Sequence, residues 1–398
     1  MTDEKKTCLR IEANYAFVQS SFWGSYCTLS AFTAVYMAYR GLTDTQIGLT
    51  GSLMSALAIV LQAAISNFSD HHMSIPIKKL ISALFFLGIC MVGLYSLLPL
   101  PVALLILVYS VACACNSTNS GLLNAQLMQF NNVGIPARYG WPRGCGSIVY
   151  AGLAWLYGIL AERYTPAILP RIYIVGTLVC ILFVMLMPDP YRGRDMASVL
   201  KGARTTTYRE MLQGNRPLVV FLIGVVFYGI GQTAGYTFTI RVIQRLGGGT
   251  AEFGLSEFVR AGVEMPMLFL SPLLLKRVEP KKLMAFSVAM FGMRNLAVNF
   301  APSLGWLYAA CTLNIFCSGI YIFAAVILAN RLVRMTEKVR AQSLTTLCSC
   351  LGSIIGNAYA GWMLERVGLT PMMVTSAGFC FVGALIIGLL CHPERSPE

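Results

Sequence analysis

The stretch AEFGLSEFVRAGVEMPMLFLSPLLLKR, residues 251–277, decides how this chain folds. It is long enough to cross a bilayer, yet it carries Glu264 halfway along. A membrane helix needs about 20 predominantly apolar residues. The run up to Glu264 bears only Glu252, Glu257 and Arg260, and the segment MPMLFLSPLLL after it bears no charge. A carboxylate at the bilayer midplane costs about 2.5–3.5 kcal/mol on insertion scales. Such groups persist where they face a protein-lined cavity, and so mark a pathway. Arg143, just ahead of VYAGLAW, and Arg294, within MAFSVAMFGMRNLAVNF, carry a similar cost in other apolar runs.

The rest of the chain has the same character. Of its 398 residues 56% are hydrophobic and 12% charged, and the mean hydropathy is +0.66. Soluble domains carry about 25% charged residues, so the deficit excludes an ordinary soluble protein. Twelve apolar runs of spanning length are predicted, near 14–37, 46–67, 79–98, 102–128, 139–162, 168–188, 217–240, 252–275, 283–300, 304–329, 341–364 and 371–391. The first has no short apolar core followed by a small-residue cleavage site, so it reads as a retained helix. The fold class is therefore an all-α polytopic membrane protein with 12 transmembrane helices.

The net charge of +13 raises the question of a nucleic-acid partner, and its distribution argues against one. With the N-terminus cytoplasmic, 21 of the 30 Lys and Arg fall on the inner side, six outside and three within helices. That is the positive-inside pattern, which orients a membrane protein. Both termini are then cytoplasmic, and a bacterial inner membrane is the expected location. Most of the 13 cysteines lie in predicted spans without a paired CxxC pattern. They read as small buried filler. No metal, cofactor or nucleotide loop is expected. With no nucleophile–base pair at membrane depth, neither is an enzyme.

The longest polar interruption, Asp189–Arg216, splits the spans six and six. The predicted organisation is an N-terminal six-helix bundle (1–188), a basic cytoplasmic linker (189–216) and a C-terminal six-helix bundle (217–398). The halves correspond. Lys78-Lys79-Leu80 matches Lys281-Lys282-Leu283, and Glu162-Arg163 matches Glu365-Arg366, both at a spacing of 203. RGLTDTQIGL (40–49) matches RLGGGTAEFGL (245–255) with one residue inserted. Six spans per half give both halves the same orientation, the parallel repeat of transporters whose substrate site lies between them near midplane.

On RYGWPRGCGSIVYAG (138–152), SNFSDHHMSIPIKKL (66–80), VEMPMLFLSPLLLKR (263–277) and RAQSLTTLCSCLGSIIGNAYAGWMLERVG (340–368), the chain resembles the major facilitator superfamily. Within it, the likeness is to the lactose-permease and phenylpropionate-permease branch of proton symporters. The resemblance implies a substrate-cavity role for Arg143, a proton-coupling role for Arg294 and an acidic coupling residue close to Glu264. It also implies a gating relay of Asp70 with Lys78 and Lys79 at the 2–3 loop, and a monomer. The chain departs from those relatives at Asn124, Gln232, Asn314 and Cys317, which are neutral where relatives carry ionisable groups.

The residues themselves leave paired readings open. Desolvation penalises the charged form of Glu264, which would let it load and release a proton as Arg294 approaches. A permanent Glu264–Arg294 bridge locking spans 8 and 9 is the structural alternative. Glu257, Arg260 and Glu264 share one helix face, so Glu257 and Arg260 form either an intrahelical ladder or a gate. Arg143 is either a forked donor to a ligand or a side chain snorkelling to the interface. The lysines at 78 and 79 equally suit ordinary positive-inside topology. Further substrate-pocket candidates are Trp23, Tyr26, Trp141, Asn124, Gln232, Tyr236, Asn314 and Asn357, with core packing, interfacial anchoring and interhelical hydrogen bonding as the structural alternatives. The predicted function is alternating-access transport of a small polar organic solute (sugar, nucleoside or organic acid), coupled to protons. An uncoupled facilitator, an exporter and a non-transporting sensor are the alternatives. The expected partners are the solute, protons and the lipid bilayer.

Overall fold

The structure, a computed structural model, describes residues 3–71, 75–190, 208–213, 215–334 and 337–391. The described residues are nearly all helical and contain no strand. First come α1 (Asp3–Ser30), α2 (Thr33–Tyr39), α3 (Asp44–His71), α4 (Ile77–Leu97), α5 (Val102–Asn132), α6 (Gly140–Tyr164) and α7 (Leu169–Leu186). After a short α8 (Tyr208–Gln213) follow α9 (Arg216–Thr237), α10 (Thr239–Arg245), α11 (Thr250–Gly262), α12 (Glu264–Arg277) and α13 (Pro280–Asn299). The chain continues through α14 (Leu304–Thr312), α15 (Ser318–Arg331), α16 (Lys338–Arg366) and α17 (Leu369–Leu385). Most of the basic segment between the halves, 191–207 and 214, lies outside the described residues.

Among the described residues, nine helices are long and apolar enough to cross a membrane by length and composition. The other three expected crossings are α1 with α2, α11 with α12, and α13. Each falls short for a visible reason. α1 is long enough at 28 residues but too polar, with Asp3, Glu4, Lys5, Lys6, Arg10 and Glu12 in its first turns, and α13 carries Lys281, Lys282 and Arg294 within its 20 residues. Between α11 and α12 the break lies at Val263. Pro266 has no N–H to return to the carbonyl four residues back, so the ladder cannot run through. Glu264 is thereby set at the first position of the second helix piece.

Local starts follow the sequence. Asn215 caps α9 by accepting from the Leu218 amide at 3.0 Å, with Pro217 in the first turn. Ser303 caps α14 through the Trp306 amide, satisfying a donor that helix geometry leaves orphaned.

The internal repeat recurs in the contacts. Gly41 (φ 81°) turns α2 into α3, and Gly247 (φ 82°) turns α10 into α11, a left-handed backbone that glycine adopts without steric cost. Arg40 donates to the Tyr95 carbonyl of α4 at 2.6 Å, and Arg245 donates to the Asn299 carbonyl of α13. Both arginines thus close the last turn of the third crossing of their half.

In the first half α1 packs on α6 and α7, and α4 and α3 pack on α5; in the second, α9 packs on α16 and α17, and α13 on α15 and α17. The halves meet where α3 lies on α16 and α6 on α11. Both contacts allow backbones to touch. A Cβ added to Gly254 would sit 2.9 Å from the Gly158 Cα, and one added to Gly361 would sit 3.0 Å from the Gly48 Cα. Small residues permit this approach between membrane helices. One buried apolar cluster runs across both halves at this end, from Phe32, Tyr36 and Tyr109 to Phe238, Phe253 and Met372. Two further clusters are separate. One, around Phe22, Phe85 and Phe130, belongs to the first half, and the other, around Phe221, Phe291 and Leu328, to the second. The molecule is pinned at the end carrying the 40–45 and 245–250 turns, and each half has its own core at the other end.

Candidate functional site

A buried group of charged and hydroxyl side chains lies along the seam between the halves. Glu257 sits on α11 with its side chain 4% exposed. Its carboxylate accepts from Arg260 at 2.6 and 3.1 Å, from the Tyr236 hydroxyl of α9 at 2.9 Å, and from the Tyr150 hydroxyl of α6 at 3.5 Å. Arg260 also donates to the Tyr236 hydroxyl, and its guanidinium lies 4.3 Å from that ring. The ladder expected within one helix is therefore part of a network that Tyr150 carries into the opposite half. Each charge has a partner, the condition under which ionised groups survive burial.

One turn further on, Glu264 accepts from the Asn314 amide at 2.5 Å and lies 3.6 Å from the Arg260 guanidinium. Asn314 occupies a 3-10 turn (Leu313–Ile315) between α14 and α15, where it also reaches the Arg260 carbonyl at 3.2 Å. Ser318 closes the group by donating to the Asn314 side chain. Two interrupted helices thus face each other, a device that places polar backbone and side chains at midplane. The alternative of a Glu264–Arg294 bridge is not what forms: Arg260 and Asn314 hold the carboxylate. Arg294 lies buried in α13, 2% exposed, and its Nε has no hydrogen-bond partner among the described residues.

Across the seam, Arg143 folds back over Trp23 with its guanidinium 4.1 Å from the ring, and donates to Ser147 at 2.7 Å. It forms no ion pair among the described residues, and lies within electrostatic reach of Glu264. A guanidinium so placed keeps free donors and a stacking face. It is turned inward onto α1 instead of reaching for an interface. Arg143→Lys removes both the fork and the stack. Solute uptake is expected to fall roughly tenfold, the scale of a lost cation–π contact and a planar donor pair, with no change in detergent-purified yield. Wild-type uptake by the lysine variant would assign Arg143 to packing alone.

Behind Trp23 a chain of hydrogen bonds runs along α1 and into α5. The Trp23 indole donates to Gln19 at 2.9 Å, Gln19 to Tyr15 at 2.6 Å, and Tyr15 to Asn124 at 3.3 Å. Tyr26 and Ser117 share a hydrogen bond at 3.4 Å.

Other candidates lie elsewhere. Trp141, 42% exposed, donates to Glu12, which also accepts the Arg138 amide. Asn357 accepts from Thr237 at 2.8 Å and packs on Gly51 within the contact between α3 and α16. Gln232 accepts from its neighbour Thr233, which pairs with Ser353. Tyr228, at the same helical spacing as Gln232 and Tyr236, stacks on Tyr321 with ring centres 4.1 Å apart, in the core of the second half. Lys78 donates to the Met187 carbonyl at the end of α7, Lys79 is exposed, and the Asp70 side chain lies outside the described residues.

Tyr150, Ser147, Ser318, Gln19 and Tyr15 are not among the residues expected from the sequence. Arg143, Ser147 and Tyr150 stand at i, i+4 and i+7, so the helical period of α6 already puts them on one face. Ser318 is one turn from Asn314 in the same way.

The chain belongs to the MFS_1 like family, whose model matches residues 13–374. No curated protein sequence matches it significantly. Among solved structures it is similar to the nucleoside transporter NupG, with a TM-score of 0.77 at 14% identity over 97% of this chain and 98% of that one. It is also similar to a bacterial homologue of the human lysosomal transporter Spinster, inward-facing and occupied, with a TM-score of 0.73 at 14% identity over 99% and 98%. A POT family transporter bound to 5-aminolevulinic acid gives 0.69 at 13% identity over 98% and 97%. These are major facilitator transporters, and at such identities they share this chain's fold. The class is therefore a multi-pass secondary transporter of the major facilitator kind.

Proposed function

We propose that this protein carries a small polar organic solute across the membrane by alternating access, as a proton symporter. The solute occupies the space between Arg143 with Trp23 on one side and Glu264 with Asn314 on the other. The observation that carries the reading is the buried network of Glu257, Arg260, Tyr236 and Tyr150, with Glu264 beside it at a helix break. A sealed seam of charged and hydroxyl groups joining two bundles is costly in a bilayer and repays that cost only along a transport path. Glu264 is the carboxylate in this seam within electrostatic reach of the opposing Arg143, and serves as the proton carrier. Arg294, whose Nε has no hydrogen-bond partner among the described residues, is the group a rearrangement would bring into play. The neighbours named for nucleosides and for 5-aminolevulinic acid handle solutes of this size and polarity, which supports the class of cargo. Positive-inside orientation puts the pinned end outside, so that the open side faces the cytoplasm, with Asp70, Lys78 and Lys79 at the rim as gating groups. The two six-helix bundles act as the moving bodies, and the transporter works as a monomer in a bacterial inner membrane.

Proteoliposomes containing the purified protein, loaded with buffer and given an inward proton gradient, test the coupling. A panel of radiolabelled sugars, nucleosides and small carboxylates should include a solute that accumulates above its outside concentration, with a protonophore returning it to equilibrium. Accumulation absent but equilibration fast indicates a facilitator, outward pumping an exporter, and binding without flux a sensor.

A further inference from the structure

Two carboxylates at the pinned end match across the repeat and have no part in the seam. We infer that Glu162 and Glu365 are paired gate residues, which hold this end shut by capping the first turn of a helix in the opposite half. Glu162, at the end of α6, accepts the Ala251 amide in the first turn of α11 at 2.8 Å. Glu365, at the end of α16, accepts the Thr45 amide in the first turn of α3 at 2.9 Å. Glu162 and Glu365 are the repeat pair at spacing 203, and Thr45 and Ala251 occupy matching places in the two loops that lead into α3 and α11.

The match extends to the neighbouring contacts. Thr250 donates to the Gly158 carbonyl at 3.1 Å, and Thr45, one place on from the position equivalent to Thr250, donates to the Gly361 carbonyl at 3.4 Å. Each capped helix also has its own capping side chain, with the Thr43 amide bonded to Gln46 and the Gly249 amide to Glu252. The carboxylate from the other half satisfies a further amide that the first turn leaves without a partner. It also sits against the positive end of the helix dipole, where negative charge is stabilised. Among the described residues, the ion pair of Arg241 with Asp44 at 2.5 Å reinforces the α3 side alone.

Because both caps cross from one half to the other, separating the halves at this end breaks them together. They act as one latch with two hands. Loss of either should loosen both helix starts, though the two acceptors are on different helices. This inference rests on the transporter reading, but its test needs no transport.

Hydrogen–deuterium exchange of the full-length protein in lipid nanodiscs reads the two amides in peptides covering 43–49 and 249–255. Both glutamates are exposed at helix ends, so Glu162→Ala and Glu365→Ala leave the core untouched. Each single substitution is expected to speed exchange in both peptides, roughly three- to tenfold, the scale of a lost cap and dipole contact. Glu365→Gln should give a smaller effect of the same pattern. A peptide within α5, such as 105–115, should be unchanged and serves as the folding control. Faster exchange only in the peptide whose cap was removed overturns the paired gate, as does no change in either. Transport failing while the cross-effect is present would count against the function and leave the latch intact.

Discussion

Replacing Glu264 with Gln is expected to abolish uphill accumulation while leaving exchange down a gradient in place. The geometry makes this a clean substitution. Glutamine retains the acceptor for the Asn314 amide, and Arg260 retains its closer partner in Glu257. The neutral side chain also fits a site where a carboxylate was partly desolvated. What is lost is the ability to gain and release a proton. A gradient of about one pH unit corresponds to about 1.4 kcal/mol per proton, which supports roughly tenfold accumulation in a one-proton symporter. The variant should bring that ratio to unity. Counterflow of labelled against unlabelled solute should continue at a comparable rate. If the variant still concentrates solute, the coupling site is elsewhere, and Arg294 with its surroundings becomes the place to look.

Removing Arg260 has the opposite character: the expected loss is in the protein rather than in coupling alone. Arg260→Ala leaves Glu257, 4% exposed, with hydroxyl donors but no counter-charge. Breaking one side of a buried pair costs about 3–5 kcal/mol, mostly from the charge left behind. The thermal unfolding midpoint in detergent should fall on the order of 5–10 °C. Arg260→Met combined with Glu257→Gln should recover the larger part of that loss, because the closer pair is then removed whole and Glu264 keeps its Asn314 donor. Recovered stability without recovered uptake would separate the two duties of the network. A single substitution with an unchanged midpoint would mean that water reaches Glu257.

The membrane class, the crossings and the internal repeat were legible because each rests on composition or on register, and a bilayer punishes exceptions to both. Glu264, Arg143, Glu257 and Arg260 were legible for the same reason, since a charge in an apolar run stands out. Partners were harder. The Glu264–Arg294 pairing is a natural alternative for adjacent spans, but it takes no account of Asn314, which reaches the carboxylate from a turn between α14 and α15. That turn carries no glycine or proline within Leu313–Ile315 to announce it. Trp141 and Asn357 have the chemistry of pocket residues, yet Glu12 and Thr237 hold them elsewhere. Tyr228 shares a helical stripe with Tyr236, but stacking on Tyr321 draws it into the core. Side-chain type and spacing fix which face a residue occupies; what stands opposite depends on the packing of distant segments. Glu162 and Glu365 show the reverse case. In the sequence they stand out only as a spacing, and the fold turns that spacing into a contact.

The apolar cluster shared by both halves at the pinned end sets a barrier against leak. An empty carrier can open that end only by parting Phe32 from Phe253, whose rings meet edge to face with centres 5.4 Å apart, together with the packed surface around them. That loss has to be offset before the end opens. A bound solute drawing the two halves together from the seam can offset it, since a ligand shifts an equilibrium by its differential affinity for the two states. The protein should therefore dissipate little of an ion gradient while idle, and the speed of its return stroke should depend on which solute it carries.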